Sequence, residues 1–281
     1  MLVDLSYFGR SELPVEMFSS AHITRLILRA HGLSNVSSEI GNLKHLIQLD
    51  LCSYNNKINN WHTHLDKLPP SLCSLTNLVH LDLSFNGLAA LPYQMHKLES
   101  LRYLNISNNQ IPDLPPTLFQ LENLQLLNVR ANRLSFLHQD VGKLKALAHL
   151  DIAENMITEV GESISDCKML CIVLLDSLWI NSLPGSFKLL VNLTLLELSN
   201  NTRLQSLPEG LDKLPHLEAL HIYNCHPSLR VSSPRLLRVT KNKPSQLSFL
   251  QCTKRVPVLH NFDLLIDRKL EMVDQYEADF V

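Results

Sequence analysis

Leucine recurs along this chain at a nearly constant interval, with polar residues between the leucines. From Ile23 onward, the pattern Leu-x-x-Leu-x-Leu-x-x-Asn-x-Leu repeats about every 23 residues. Its first positions are Ile23, Leu46, Leu78, Leu101, Leu124, Leu147, Leu170, Leu193 and Leu217. Only the step from Leu46 to Leu78 is clearly longer, by about nine residues. A fixed period of this length predicts a solenoid, in which each repeat is one coil.

Each repeat predicts a short strand followed by a return segment. In the repeat that begins at Leu78, Leu81 and Leu83 alternate with polar residues. This alternation places the leucines on one face of a strand and the polar side chains on the other. The following Leu91-Pro92-x-x-Met95 has the spacing of a short 3₁₀ or helical segment that begins at a proline.

Stacking of the coils is the only way for one coil to bury its leucines. We therefore predict an α/β fold: a curved solenoid with a parallel β-sheet on its concave face and short 3₁₀ or helical segments on its convex face. Leu81, Leu104, Leu127 and Leu150 are expected to share one core.

A polar residue recurs where each predicted strand turns inward. Amide side chains at these positions can donate to and accept from buried backbone groups of adjacent coils, and so form a structural ladder. The ladder positions are Asn86, Asn109, Asn132, Asn155, Asn201 and Cys225. His31, Tyr54 and Leu178 stand at the same position, and the apolar Leu178 predicts a distorted turn.

Several of these repeats resemble one family closely. Asn86-Gly-Leu88-Ala-Ala-Leu91-Pro92, Asn109-Gln-Ile111-Pro-Asp-Leu114-Pro115 and Leu204-Gln-Ser-Leu207-Pro208 are similar to leucine-rich repeats of the 23-residue intracellular Ras-group type. His22-Ile23-Thr24 and Asn181-Ser-Leu183-Pro184-Gly185 are similar to Ras-suppressor proteins. The resemblance implies a scaffold or adaptor in signalling, whose partner is another protein: a small GTPase, a phosphatase or an adhesion-linked adaptor.

The repeats divide the chain into two parts. Residues 1–230 form a partial first coil, with Val3 and Leu5 at strand positions, and about nine repeats. Residues 231–281 are interpreted as a degenerate last coil, with a strand at Leu237–Val239, followed by a helical cap or tail. The apolar spacing from Phe262 to Tyr276 favours an amphipathic helix, which either covers the last coil or docks a partner. The short N-terminal cap leaves open whether the chain is a fragment or an alternative product.

The nine extra residues lie between Tyr54 and Thr63. Trp61 in this insertion either anchors a partner, as tryptophan often does, or folds back over its own loop. His62 and His64 form a weak candidate metal pair, and two solvated loop histidines are the simpler interpretation.

The net charge and the cysteine positions argue against several classes of function and of location. The net charge of −2 argues against broad attraction to nucleic acid or membrane surfaces. Neither a signal peptide nor an apolar run of membrane-spanning length is visible. The six cysteines are scattered, and Cys167 and Cys225 occupy core and ladder positions, which predicts buried thiols in a reducing compartment. We therefore expect an intracellular, cytoplasmic protein.

The sequence contains no catalytic or phosphate-binding signature, so we expect no enzyme activity and no cofactor. The predicted working surface is the concave face. Its candidate partner-binding residues, together with Trp61 in the insertion, are Asp50, His80, Asp82, Tyr103, Asn105, Asn128, Arg130, His149, Asp151, Leu174, Glu197, His221 and Tyr223.

Two features of this face bear on the partner. The aspartates suggest an acidic stripe that attracts a basic patch, although Leu-Asp-Leu is also the consensus strand of the resembled family. Ile172, Leu174 and Leu195 are expected to form an exposed apolar group.

The terminal Asp279-Phe280-Val281 weakly matches a ligand for PDZ-type grooves.

Two functional hypotheses remain from the sequence. The first is a non-catalytic adaptor that binds a protein across the concave face. The alternative is a substrate-recognition segment, or an isoform, of a larger enzyme or ubiquitin-ligase-type protein.

Overall fold

The computed structural model describes residues 1–6, 12–29, 32–53, 64–231 and 233–240. Ten short strands in these residues form one parallel sheet, and their order in space follows the chain. The strands are β1 Leu2–Asp4, β2 Arg25–Ile27, β3 Gln48–Asp50, β4 His80–Asp82, β5 Tyr103–Asn105, β6 Leu126–Asn128, β7 His149–Asp151, β8 Ile172–Leu174, β9 Leu195–Glu197 and β10 Ala219–His221.

A 3₁₀ helix follows each of the first nine strands. These helices are η1 Val15–Ser19, η2 Ser38–Asn42, η3 Pro70–Ser74, η4 Tyr93–Lys97, η5 Pro116–Gln120, η6 Gln139–Lys143, η7 Glu162–Asp166, η8 Gly185–Leu189 and η9 Leu211–Lys213. Proline directly precedes five of them, at Pro14, Pro69, Pro92, Pro115 and Pro184. Proline suits the start of a helical turn because its φ is already fixed there and its missing N–H has no partner to lose. The predicted return segments are confirmed.

The core lies between the sheet and the 3₁₀ helices. The middle residue of each strand pairs in register with the middle residues of its neighbours, as Leu81 does with Leu104 and Leu127 with Leu150. All four of these leucines are fully buried in one continuous cluster. The shared core predicted from the repeat is therefore confirmed. Strand β1 extends the sheet at its N-terminal edge by pairing with β2.

Each coil from β4 to β10 turns through one residue with positive φ, immediately before the ladder position. These residues are Phe85, Asn108, Ala131, Glu154, Ser177, Asn200 and Asn224, with φ between 53° and 62°. The left-handed region costs most residues about 1–2 kcal/mol. A repeated bond holds it in place, since the N–H of Ala131 donates to the carbonyl of Ala153 in the next coil at 3.0 Å.

Asparagine side chains at the ladder positions bind backbone groups of adjacent coils. The side chain of Asn132 shows its chemistry: Nδ2 donates to the carbonyls of Ile106 and Val129 at 2.9 and 3.0 Å, and Oδ1 accepts from the N–H of Ile111 at 3.0 Å. Asn109 and Asn155 repeat this arrangement one coil away on either side. Cys225 takes over part of it, because its Sγ donates to the carbonyl of Leu198 at 3.3 Å.

The ladder is defective beside Leu178, as its apolar side chain predicts. Asn201 donates to the carbonyls of Leu175 and Leu198 at 2.8 and 2.7 Å. Its buried Oδ1, however, has no hydrogen-bond partner among the described residues. The next inter-coil bond is also displaced, since Gln205 rather than the residue after Asn201 donates to the preceding coil.

The C-terminal end differs from the prediction. Residues Pro234–Val239 form an α-helix, α1, so the predicted last strand at Leu237–Val239 is wrong. Pro234 at the first helical position favours a helix, and the three-residue spacing of Leu236 and Val239 buries both on one side of it. Helix α1 packs against β10 and η9. Four features of the sequence analysis lie outside the described residues. They are the predicted amphipathic helix, the terminal PDZ-type motif, the 54–63 insertion with Trp61, and His31.

Candidate functional site

The candidate site is the outer face of the sheet, which corresponds to the predicted concave face. Because side chains alternate along a strand, the first and third strand residues point away from the core. Row one, formed by the first residues of β2–β10, is Arg25, Gln48, His80, Tyr103, Leu126, His149, Ile172, Leu195 and Ala219. Row two, formed by the third residues, is Ile27, Asp50, Asp82, Asn105, Asn128, Asp151, Leu174, Glu197 and His221. Row three, two residues further on, is Arg29, Cys52, Ser84, Ser107, Arg130, Ala153, Asp176, Ser199 and Tyr223.

Row two has a structural role that the sequence did not show. The side-chain oxygen of Asp82 accepts the backbone N–H of Ser84 at 3.0 Å, just past the end of β4. Asp50, Asn105, Asn128, Asp151 and Glu197 each make the same bond to the residue two positions later, at 2.9 to 3.1 Å. These oxygens therefore satisfy N–H groups where each strand stops.

The prediction that the aspartates form an accessible acidic stripe is wrong, because their side chains are buried. Asp50 and Asp82 are fully buried, and Asp151 retains 4% of its surface. Asn105 and Tyr103 are buried as well. A carboxylate that caps a strand and has no surface cannot attract a partner by direct contact. The family-consensus interpretation of Leu-Asp-Leu is the one that fits this geometry.

Arg130 lies in row three and links three adjacent coils through ion pairs. Its guanidinium binds both oxygens of Asp176 at 3.1 and 2.9 Å, and one oxygen of Glu154 at 2.6 Å. Asp151 lies 3.9 Å away. Although burial opposes its charge, the hydrogen bonds to Asp176 and the nearby carboxylates raise the pKa of Arg130. Burial raises the pKa of Asp151 to about 7, against the attraction of Arg130.

Two carboxylates and one thiol come together near the N-terminal end of the sheet. Ligand atoms of Asp50, Cys52 and Asp82 lie within 4.8 Å of one another, which is close enough to hold a metal ion. These atoms already have other roles. Asp50 accepts from Nε of Arg29 at 2.7 Å, and Asp82 accepts from the hydroxyl of Ser84 at 2.6 Å. The positive Arg29 beside this group makes it a hydrogen-bonded cluster rather than a cation site.

Histidines of the face also have defined neighbours. The ring of His80 stacks on Tyr103 with centroids 4.1 Å apart. Burial lowers the pKa of His149 to about 4. His221 pairs with Glu197, and although burial opposes this effect, the hydrogen bond from His221 lowers the pKa of that carboxyl.

A second apolar cluster runs along row one, separate from the main core. We call it the apolar row, and it consists of Tyr103, Leu126, Ala148, Cys171, Ile172, Leu195 and Ala219. The predicted apolar group at Ile172, Leu174 and Leu195 is therefore real. Its predicted exposure is wrong, since Ile172 and Leu195 retain only 6% and 8% of their surface and Leu174 is half-buried.

The predicted partner-binding residues thus differ in accessibility. Tyr223 is two-thirds exposed. The partly exposed residues of the set are His80, Asn128, Arg130, His149, Leu174, Glu197 and His221. The accessible residues concentrate at the C-terminal half of the sheet, from β6 to β10.

Sequence reasoning also missed an exposed aromatic residue on the loop side. Trp179 is about half exposed, and the guanidinium of Arg203 lies 4.8 Å from its ring centroid. The signal was available, because Trp179 follows the defective ladder position at Leu178 and no consensus requires a tryptophan there. No helix among the described residues has the length and apolar character that crossing a bilayer requires.

Comparisons with known proteins agree with this architecture. The family model described as leucine rich repeat matches residues 56–111. None of the curated proteins compared matches the chain.

Solved structures share the fold at low sequence identity. One is the plant peptide hormone receptor RGFR1 in complex with RGF2. It superimposes with a TM-score of 0.57 at 24% sequence identity, and the match covers 76% of this chain and 38% of the receptor chain. A second is a chain of the octameric complex of Latrophilin 3, Unc5D and FLRT2 (LRR): TM-score 0.59, identity 20%, covering 68% and 58%. A third is PEPR1–AtPEP1: TM-score 0.53, identity 20%, covering 76% and 37%. The chain thus spans less than two thirds of the length of each of these three chains.

The chain is a leucine-rich-repeat solenoid, with ten parallel strands alternating with 3₁₀ turns. Leucine-rich-repeat domains generally mediate protein binding and are usually non-catalytic.

Proposed function

We propose that this chain is a non-catalytic intracellular adaptor that binds another protein across the outer face of its sheet. The observation that carries the proposal is the face itself: rows of charged, aromatic and apolar side chains held in register along ten strands. A rigid, extended face of this kind suits recognition of a protein surface, because the scaffold orders its side chains before the partner arrives.

The C-terminal half of the face supplies the contact residues in this proposal. Arg130 and His221 keep part of their surface, and Tyr223 is exposed at the rim of β10. Arginine and tyrosine are enriched among residues that dominate binding energies. The buried aspartates of row two instead hold the strand ends. A standard interface of about 1,600 Å² in total would cover several strands.

The class of partner rests on the resemblance to the Ras-group repeats, which suggests a small GTPase, a phosphatase or an adhesion-linked adaptor. A location inside the cell is supported by the thiols of Cys73, Cys167 and Cys225, which form no disulfide, whereas Cys171 is disulfide-bonded. Burial raises the pKa of Cys73 to about 11 and that of Cys167 to about 12, so both are inert core thiols. A role as recognition segment of a larger enzyme or ubiquitin-ligase-type protein stays a prediction.

A matched pair of tyrosines tests the proposal. Tyr223 on the outer face and Tyr93 on η4 are 66% and 65% exposed. A partner identified by affinity capture should bind the Tyr223→Ala chain roughly tenfold or more weakly, because aromatic residues often dominate the binding energy, and the Tyr93→Ala chain as tightly as wild type. Titration calorimetry with the purified partner measures both. Unchanged binding by Tyr223→Ala and Arg130→Gln, or an equal loss with Tyr93→Ala, would place the interface elsewhere.

A further inference from the structure

A groove runs along the edge of the sheet at which the strands begin, opposite the edge that carries the asparagine ladder. We call it the rim groove. Its volume is about 570 Å³, which lies within the range of clefts that bind ligands. It crosses the coils of β2 to β6, and its lining includes Ile47, Asn77, Val79, Arg102 and Asn123. None of these residues belongs to rows one to three of the outer face.

The groove exposes two apolar side chains. Ile47 and Val79 stand directly before β3 and β4, and the N–H of Val79 donates to the carbonyl of Ile47 at 2.8 Å, so they lie on consecutive coils. Ile47 retains 46% of its surface, and Val79 is half-buried. The residues directly before β6 to β9 retain at most 4% of theirs. Exposed apolar residues at this position are therefore confined to the N-terminal half of the sheet, where a ligand can cover them.

Arg102 supplies the charge of the groove. It stands on the next coil, directly before β5, where its N–H donates to the carbonyl of Val79 at 2.9 Å. Its side chain is exposed and forms no ion pair with any described residue. None of the described residues that line the groove carries a carboxylate. A guanidinium in this setting favours a ligand carboxylate, to which it can donate two parallel hydrogen bonds.

Two asparagines hold fixed amide groups beside the groove. Nδ2 of Asn77 donates to the carbonyl of Lys44 at 2.8 Å, and Nδ2 of Asn123 donates to the carbonyl of Glu99 at 2.9 Å. Each amide keeps a second N–H and its Oδ1. A donor and an acceptor on one rigid group match the N–H and C=O of a peptide backbone. The two asparagines lie two coils apart, about 9.6 Å, which roughly three residues of extended chain span.

We propose that the rim groove binds an extended segment of a partner protein, with an aliphatic side chain between Ile47 and Val79 and a carboxylate on Arg102. The midpoint between Ile47 and Val79 is one and a half coils from Arg102, which is about 7 Å. Alternate side chains of an extended chain are about 6.7 Å apart on the same face. The recognised segment therefore has an aliphatic and an acidic residue two positions apart. This surface goes beyond the proposed function, because it uses another edge of the sheet and binds whether the outer face is free or occupied.

Synthetic peptides test this spacing in solution. The probes are fluorescein-labelled heptapeptides of serine that carry one leucine and one glutamate at every separation and in both orders. Fluorescence anisotropy with the full-length chain should give the tightest binding when leucine and glutamate are two positions apart. Replacement of that glutamate by lysine should weaken binding by about tenfold or more. Equal affinity at all separations, or for the lysine peptide, would overturn the proposal.

Exchange of the charge locates the acidic contact. Arg102→Glu should bind the glutamate peptide roughly tenfold more weakly, and the lysine peptide roughly tenfold more tightly, than wild type. Arg133→Glu, at an exposed position on the ladder edge, is the matched control and should leave both affinities unchanged. Ile47→Ser should also weaken binding, whereas Val191→Ser should not, although the two side chains are similarly exposed, at 46% and 48%. Circular dichroism checks that each variant is folded. Equal effects of Arg102→Glu and Arg133→Glu would show attraction by overall charge and would overturn the proposal.

NMR signals of side-chain amides locate the bound peptide. The signals of Asn77 and Asn123 should shift on titration with the leucine–glutamate peptide. The signal of Asn192, which makes the same kind of bond to the carbonyl of Lys168 at 2.8 Å outside the groove, should stay in place. Equal shifts of all three asparagines, or of none, would overturn the location. Octanoate has an aliphatic chain and a carboxylate but no peptide group, so it should bind about tenfold or more weakly than the peptide; equal affinity would overturn a peptide as the ligand.

Discussion

Replacement of Asn132 by alanine should measure what one ladder asparagine contributes. The carbonyls that it serves keep a second donor, because Ile106 also accepts from Asn109 at 2.9 Å and Val129 from Asn155 at 3.0 Å. The N–H of Ile111 has only the Asn132 side chain, at 3.0 Å. The variant therefore loses these two shared bonds and a longer one to the carbonyl of Arg130 at 3.3 Å, and it leaves one buried N–H without a partner.

The expected loss follows from these contacts. A buried donor left without a partner costs about 1–3 kcal/mol, and each shared bond contributes about 1 kcal/mol or less. Asn132→Ala should therefore lower the free energy of unfolding by about 2–4 kcal/mol. Asn201→Ala is the matched control. It leaves the carbonyl of Leu175 without a donor but removes a buried Oδ1 that has no partner among the described residues, so it should cost at least about 1 kcal/mol less.

Urea titration monitored by circular dichroism and by tryptophan fluorescence gives both free energies, provided that the two probes coincide. Amide hydrogen exchange adds a local readout, because the Ile111 amide should lose its protection in Asn132→Ala. Equal losses in the two variants, or an Ile111 amide that stays protected, would refute the ladder argument.

Three further predictions concern the core, the turn and the buried carboxyl. Leu127→Ala, at a fully buried position, should cost about 2–5 kcal/mol in urea titrations, whereas Leu189→Ala, at an exposed one, should stay within about 0.5 kcal/mol of wild type. Ala131→Gly should raise stability by up to about 1 kcal/mol, because Ala131 has φ 53° and glycine accepts this conformation without strain; a lower melting temperature would contradict this. Burial raises the pKa of Asp151 from its ordinary 3.8 to about 7, so its contribution to stability is present below about pH 4 and is lost as the pH rises through about 7. Asp151→Asn should therefore gain stability relative to wild type over that range, and a difference that stays constant with pH would refute the assignment.

The repeated parts of the fold were predictable because they depend on local period. The spacing of Leu81, Leu104 and Leu127 fixed both the strand and its register, since each coil has the same length and stacks on the last. The ladder role of Asn86 and the defect beside Leu178 followed from the hydrogen-bonding capacity of the side chain alone. Such inferences need no knowledge of distant contacts.

The accessibility of the candidate site was not predictable in the same way. Alternation along a strand shows that Asp82 points away from the core, but not that its oxygen turns back to the N–H of Ser84. The network around Arg130 joins residues from three coils, and only the stacked structure shows which carboxylates a long side chain reaches. The fading repeat suggested a strand where helix α1 forms, because the leucine spacing there fits both structures and only Pro234 distinguishes the start of a helix.

The leucine at the ladder position of the β8 coil has a mechanical consequence. A stacked array holds together through contacts between nearest neighbours, so its weakest junction decides where it separates under load. Leu178 supplies neither the donor nor the acceptor with which Asn132 and Asn155 bind the preceding coil, so the junction between the coils of β7 and β8 has fewer bonds than those before it. Force or heat should therefore peel the last three strands away as a unit, while the preceding coils remain stacked.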